Sequence, residues 1–126
     1  MKEKIQLGIA CGKNSEGYVG FLMENVKRTA SDLNRIEFLL GINKPVNMQL
    51  LLRNAAGCNY RVIDARNSAE GSLGHGHCAD ILLKNMNAKY GMIVDSDVAF
   101  LKKNWDLQLE SKLKDNVVIV GAGTEK

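Results

Sequence analysis

The sequence contains no apolar stretch long enough to cross a membrane, since its longest runs, such as Val117–Val120, fall far short of the ~20 residues that a bilayer requires. It has one proline and three cysteines in 126 residues, which excludes proline-rich disorder and makes a disulfide framework unexpected. An odd cysteine count without paired spacing is typical of a reducing compartment, so we expect a cytoplasmic protein. The 17 basic residues exceed the 14 acidic ones by only three, which does not favour a nucleic-acid partner.

What is present is the composition of a globular protein, with 45% hydrophobic and 25% charged residues. The length corresponds to a single domain, 1–126. Apolar runs predict strands at Ile5–Ala10, Arg35–Gly41, Arg61–Ile63, Tyr90–Val94 and Val117–Val120. Helical spacing predicts helices at Glu16–Ser31, Val46–Ala56, Cys78–Met86 and Asn104–Lys114. Strands that alternate with helices predict an α/β fold, a three-layer, mostly parallel, Rossmann-like sheet with helices on both faces.

Local signals refine two of these predicted elements. Asn14 or Ser15 is expected to cap the first helix, and its apolar face is expected to include Tyr18, Phe21, Leu22 and Val26. The polar, glycine-rich range 64–76 is expected to be a loop before the third helix.

Two acids follow the fourth predicted strand in the order Val94-Asp95-Ser96-Asp97-Val98. Ligands of parallel sheets bind beyond the carboxyl ends of the strands, and side chains two residues apart lie on the same side of an extended chain. Two carboxylates this close repel each other and favour a divalent cation between them. Oxygen ligands suit Mg²⁺ or Mn²⁺ shared with substrate phosphates. The alternative is an ordinary turn or the acidic start of a helix, because Asp favours both.

The segment from Tyr90 to Asp97, followed by Val98, Phe100 and Trp105, resembles the Asp-x-Asp region of family 2-like GT-A glycosyltransferases. The resemblance extends back to Ile5, and it implies an α/β half-domain that binds a nucleotide-diphospho-sugar with Mn²⁺ or Mg²⁺. In that family, the first acid contacts the ribose or shares the metal and the second ligates the cation, which gives these roles to Asp95 and Asp97. The sugar would be transferred to an acceptor that the sequence does not identify.

The same resemblance suggests further donor-binding residues. Asn43 would add an edge contact and His77 would donate to phosphate, whereas the base and ribose would be bordered by the loop after the first strand, Ala10, Cys11, Gly12, Lys13 and Asn14. Asn43 replaces a carboxylate that the family often has, and His77 lies where many members have an arginine. The family's acceptor-binding half, which often supplies the catalytic base, follows the strand that corresponds to Val117–Val120. We therefore expect a donor-binding half truncated before the acceptor-binding part, and we identify no catalytic base.

Two other functions stay open at this stage. One is a non-catalytic nucleotide-binding or assembly module. Truncation would leave the edge and face after Val117–Val120 uncovered, and an uncovered apolar surface favours a homodimer. An NAD(P)-binding Rossmann domain is suggested by Gly74-x-Gly76-x-x-Ala79 with Asp95 about 20 residues later. The first glycine of that fingerprint should directly follow a strand, whereas the range 64–73 intervenes here.

Overall fold

The computed structural model describes residues 3–67, 69 and 71–113, and in this part of the chain four strands form one parallel sheet. The strands are β1 (Ile5–Cys11), β2 (Ile36–Ile42), β3 (Asn59–Asp64) and β4 (Tyr90–Val94). Their order in the sheet is β3-β2-β1-β4, and every pairing is parallel. The predicted α/β class is confirmed, whereas the strand predicted at Val117–Val120 lies outside the described residues.

The helices are α1 (Glu16–Thr29), α2 (Met48–Leu51), α3 (Gly71–Lys84) and α4 (Trp105–Lys112), with a short 3₁₀ helix at Leu33–Arg35. The alternation of side chains along β1 sends them to two different layers. Leu7 and Ile9 are fully buried in a core that also contains residues of α1 and α4. Ala10, on the opposite side, packs against a second core that contains Cys78 and Leu82 of α3. The predicted three-layer arrangement is therefore confirmed for the described residues.

Helix α3 begins at Gly71, so the prediction of a loop up to residue 76 was wrong in its second half. Gly74 and Gly76 lie within this helix rather than in a turn after a strand. They do not form the strand-to-helix turn that a dinucleotide fingerprint requires. Six residues also separate the end of β3 from the start of α3. The NAD(P) alternative therefore loses the geometry on which it depended.

Two helix predictions were also wrong in part. The buried face of α1 comprises Val19, Gly20, Leu22, Met23 and Val26, whereas Tyr18 and Phe21 are exposed. Ser15 occupies the N-cap position of α1 but makes no side-chain cap bond, because its Oγ donates instead to the carbonyl oxygen of Gly12 at 2.7 Å. Helix α2 spans four residues, far fewer than the predicted Val46–Ala56.

A buried ion pair joins helix α4 to the 3₁₀ helix that precedes β2. Arg35 Nη1 lies 3.3 Å from Asp106 Oδ2, and both residues are buried. The Nε of Arg35 donates to the carbonyl oxygen of Glu3 at 2.8 Å, and Ser31 donates to Asp106 through both its backbone amide and its hydroxyl. This network joins α4, the 3₁₀ helix and the start of β1.

Among the described residues, no helix combines the length and the apolar character that crossing a bilayer requires.

Candidate functional site

A cleft of about 400 Å³ opens beyond the carboxyl ends of the neighbouring strands β1 and β4. Its lining comes from the end of β1, the β1–α1 turn, the first turns of α1 and α3, and the segment after β4. The lining residues are Ala10, Lys13, Asn14, Ser15, Tyr18, His75, Asp95, Ser96 and Asp97. This is the edge of the sheet at which parallel α/β folds bind ligands.

The acidic pair reaches the cleft because β4 ends just before it. Val94, the last residue of β4, is in register with Ile9 of β1, and the chain leaves the sheet at Asp95. Asp95 and Asp97 both line the cleft, so the predicted convergence of the two acids at the carboxyl end of the sheet agrees with their placement. His75 Nε2 lies 3.5 Å from Asp95 Oδ1, and both side chains are substantially exposed.

The turn between β1 and α1 brings a positive charge to the same cleft. Asn14 has a φ of +64°, a left-handed conformation that Asn tolerates better than most residues. The backbone amide and the hydroxyl of Ser15 both donate to the carbonyl oxygen of Gly12, at 3.2 and 2.7 Å. The closed turn directs Lys13 and Asn14 into the cleft lining. A Lys and a His therefore share the cleft with the two acids.

Several residues predicted to contact the nucleotide do not line this cleft. Cys11 is fully buried, and burial is the main cause that raises the pKa of its thiol to about 12. The Oδ1 of Asn43 accepts a hydrogen bond from Asn67 Nδ2 at 2.8 Å, which ties the β2 loop to the β3 loop. His77 is exposed and absent from the cleft lining. Gly12 contributes its carbonyl to the β1–α1 turn, and the roles of these residues in binding stay predictions.

The structure adds two residues that the sequence reasoning missed. His75, rather than His77, lines the cleft. If the prediction had begun the helix at Gly71, His75 would have been placed in its first two turns, close to the carboxyl ends of the strands. Tyr18, which was expected in the core, is 57% exposed and also lines the cleft. Tyr18 lies in the first turn of α1, next to the carboxyl end of β1, and this position is the signal that could have placed it in the cleft.

The residues of the cleft suit a cation that is shared with a ligand. In the described ranges, no group of three or more His, Cys, Asp and Glu side chains could hold a metal ion. Asp95 and Asp97 supply hard oxygen donors, and Mg²⁺ or Mn²⁺ is commonly held by one or two carboxylates together with substrate phosphates and water. The donor set therefore fits such a cation when a phosphorylated ligand completes its coordination.

A larger groove, of about 710 Å³, follows the outer side of α1 and is lined by residues that include Phe21, Leu50 and Val98. Neither Asp95 nor Asp97 lines it. It has no part in the chemistry considered above, so the candidate site is the smaller cleft.

In comparisons with known proteins, the sequence matches no protein family and no curated protein. The fold does match solved structures. It resembles the mannosyltransferase PcManGT of Pyrobaculum calidifontis, solved in complex with GDP-Man and Mn²⁺, with a TM-score of 0.72 and 10% sequence identity over 94% of this chain and 34% of that one. It also resembles TarS of S. aureus, with a TM-score of 0.67 and 18% identity over 85% of this chain and 19% of that one.

A shorter form of TarS, residues 1–349, matches with a TM-score of 0.67 and 17% identity over 87% of this chain and 32% of that one. The chain thus spans about a third or less of the length of these structures. At such low identity the likeness shows the fold, and that fold is the one found in GT-A-type glycosyltransferases.

Proposed function

We propose that this chain is a glycosyltransferase-like domain that binds a nucleotide-diphospho-sugar together with Mn²⁺ or Mg²⁺, for transfer of the sugar to an acceptor. The observation that carries the proposal is the cleft beyond the carboxyl ends of β1 and β4, which both Asp95 and Asp97 line. The GT-A fold adds support, since PcManGT was solved with GDP-Man and Mn²⁺.

The charges of the cleft fit a diphosphate that arrives with a cation. Asp95 and Asp97 would hold the cation, whose positive charge would stabilise the diphosphate as a leaving group. Lys13 and His75 border the same space, and their donors can reach phosphate oxygens that the cation leaves exposed. Tyr18, with its exposed ring, offers an aromatic face to the nucleoside end of the ligand.

The nucleotide-binding domain at 1–126 and the homodimer stay predictions, and the acceptor is not identified. Light scattering of the purified chain at several concentrations tests the homodimer. The chemistry of transfer would need a base, and we assign that role to no residue in the described part of the chain.

Calorimetric titration with GDP and with UDP, each with and without Mn²⁺, tests the proposed function. We expect binding that depends on Mn²⁺, and we expect Asp97→Ala to weaken it by about tenfold or more. Asp80→Ala is the matched control, because Asp80 is an exposed acid on α3, paired with Lys84 at 3.9 Å, that does not line the cleft.

Two results would contradict the proposal. One is nucleotide binding that neither Mn²⁺ nor Asp97→Ala changes, because the acidic pair would then have no part in it. The other is binding of NAD without metal and no binding of GDP or UDP, which would restore the dinucleotide-binding alternative.

A further inference from the structure

The side chain of Asn25, on α1, holds the backbone of Phe100 at two points. Its Nδ2 donates to the carbonyl oxygen of Phe100 at 2.9 Å, and its Oδ1 accepts from the amide nitrogen of Phe100 at 2.6 Å. One side chain thus satisfies both backbone polar groups of a residue outside regular secondary structure, as a neighbouring strand would. Within the described range 96–103, Phe100 is the residue that another element holds by hydrogen bonds.

A second attachment lies one helical turn further along α1. The carbonyl oxygen of Thr29 accepts a hydrogen bond from the amide of Asn104 at 2.6 Å, and its hydroxyl accepts one from Trp105 Nε1 at 2.9 Å. The rings of Phe100 and Trp105 stack with centroids 3.8 Å apart. Asn25 and Thr29 therefore fix both ends of the range 100–104 against the same face of α1.

The attachment at Phe100 limits where Asp97 can lie. Two residues lie between them, and the three Cα-to-Cα steps of a fully extended chain cover about 10 Å. On the other side, Val94 is fixed by its register with Ile9. Asp95 directly follows the strand, so β4 positions its backbone, and its Oδ1 lies 3.5 Å from His75 Nε2. Without the Asn25 contact, the next hydrogen bond to another element after Asp97 would be that of Asn104, seven residues along the chain, and Asp97 would gain conformational freedom.

We propose that Asn25 is a positioning residue for the cation site: by holding Phe100 it keeps Asp97 beside Asp95 in the geometry that binds a divalent cation. The inference rests on the proposed function, because it takes the two acids as the cation ligands. Asn25 acts through the backbone of the range 98–100 and touches neither the cation nor the nucleotide. Removing it leaves both carboxylates in the chain but makes their joint binding of the cation costlier in conformational entropy.

Titration of Mn²⁺ followed by electron paramagnetic resonance, in the presence of GDP, tests the proposal in the full chain. We expect Asn25→Ala to weaken Mn²⁺ binding by about tenfold, the lower end of the effect seen for groups that orient metal ligands. Asn54→Ala is the matched control. Asn54 is also a half-buried asparagine that donates to a backbone carbonyl, that of Gly20 at 3.1 Å, but it holds the turn after α2 rather than the segment after β4. We expect it to leave Mn²⁺ affinity unchanged.

A second measurement needs no metal. Amide hydrogen exchange of residues 98–101 should be faster in Asn25→Ala than in the unaltered chain, and unchanged in Asn54→Ala, because the side chain of Asn25, and not that of Asn54, hydrogen-bonds to this segment. If Asn25→Ala does not fold, Asn25→Ser replaces it, since a serine keeps a polar group at the half-buried position but is too short to contact both backbone atoms. The same losses are expected for it.

The outcomes separate the two proposals. Mn²⁺ binding that depends on Asp97 but is unchanged in the folded Asn25 variant overturns the positioning role and leaves the proposed function intact. An equal loss of Mn²⁺ affinity in Asn54→Ala also overturns it, because the effect would then be general destabilisation. Absence of any Mn²⁺ binding by the unaltered chain overturns the proposed function and the positioning role together.

Discussion

At the scale of single residues, Gly41 shows how closely α3 approaches the sheet. A Cβ atom at this position would lie 2.9 Å from Cys78 Sγ and 3.0 Å from Leu82 Cδ2. Both neighbours are fully buried, so they have little room to move away. The absence of a side chain at Gly41 therefore permits the close contact between α3 and β2.

We expect Gly41→Ala to lower the free energy of unfolding by about 1–3 kcal/mol, the usual cost of overpacking a core. Gly76→Ala is the control, because Gly76 is an exposed residue within α3 and a Cβ there would meet no atom within 4 Å. Alanine favours a helix over glycine, so this change should raise the free energy of unfolding by up to about 1 kcal/mol. Urea denaturation of the two variants measures both values, and equal effects would contradict the close approach.

The candidate site shows what a residue pattern can and cannot predict. Asp95 and Asp97 were predictable because a strand end fixes where the chain leaves the sheet, and both line the cleft. His75 and Tyr18 were not, because their position depends on where a helix starts and how it rotates against the sheet. Cys11 follows the strand alternation into the α1-side core, which the motif resemblance alone could not show.

At the scale of elements, the strands were predicted better than the helices. The bounds of β4 agree with the prediction, and those of β1 and β2 differ by one residue at one or both ends, because continuous apolar runs have sharp ends. Helix α3 starts seven residues earlier than the predicted Cys78. Its three glycines favour a loop by propensity, but burial of Cys78 and Leu82 against the sheet stabilises the helix.

Helix α4 depends on the buried pair of Arg35 and Asp106, so we expect Asp106→Ala to lower the free energy of unfolding by about 3 kcal/mol or more. Removing the acid leaves the guanidinium buried without one of its partners. Asp80→Ala breaks only an exposed contact to Lys84, and we expect it to change stability by less than about 1 kcal/mol. Thermal or urea denaturation compares the two, and similar effects would contradict a structural role for the buried pair.

The pH dependence of the free energy of unfolding provides an independent check on the role of Asp106. Burial raises the pKa of Asp106, but hydrogen bonds from Ser31 and from its own backbone amide, together with the charge of Arg35, outweigh it and lower the pKa below the ordinary 3.8. The contribution of this carboxylate to stability is therefore present above pH 3.8 and is lost as the pH falls through the lowered value. The acid limb of the stability profile should be shallower in Asp106→Ala than in the unaltered chain.

At the scale of the whole molecule, the sheet joins two cores that each contain a buried thiol. Cys11 belongs to the core on the α1 side and Cys78 to the core on the α3 side. Burial is the largest cause that raises their pKa values, to about 12 and about 11, from an ordinary 9.0. β1 and β2 contribute to both cores, so we expect the described layers to unfold as one cooperative unit.

The raised thiol pKa values predict how the free energy of unfolding changes at alkaline pH, and cooperativity predicts that it changes in a single transition. Above pH 9 the unfolded chain releases thiol protons that the native state retains, so the free energy of unfolding should fall as the pH rises towards 11–12. Each thiol contributes a slope of up to about 1.4 kcal/mol per pH unit. Cys11→Ala and Cys78→Ala should each make the slope of a single unfolding transition shallower, whatever packing either change costs. Urea denaturation between pH 8 and about 11 measures this, and two separate transitions, each sensitive to one thiol, would show that the two cores unfold independently.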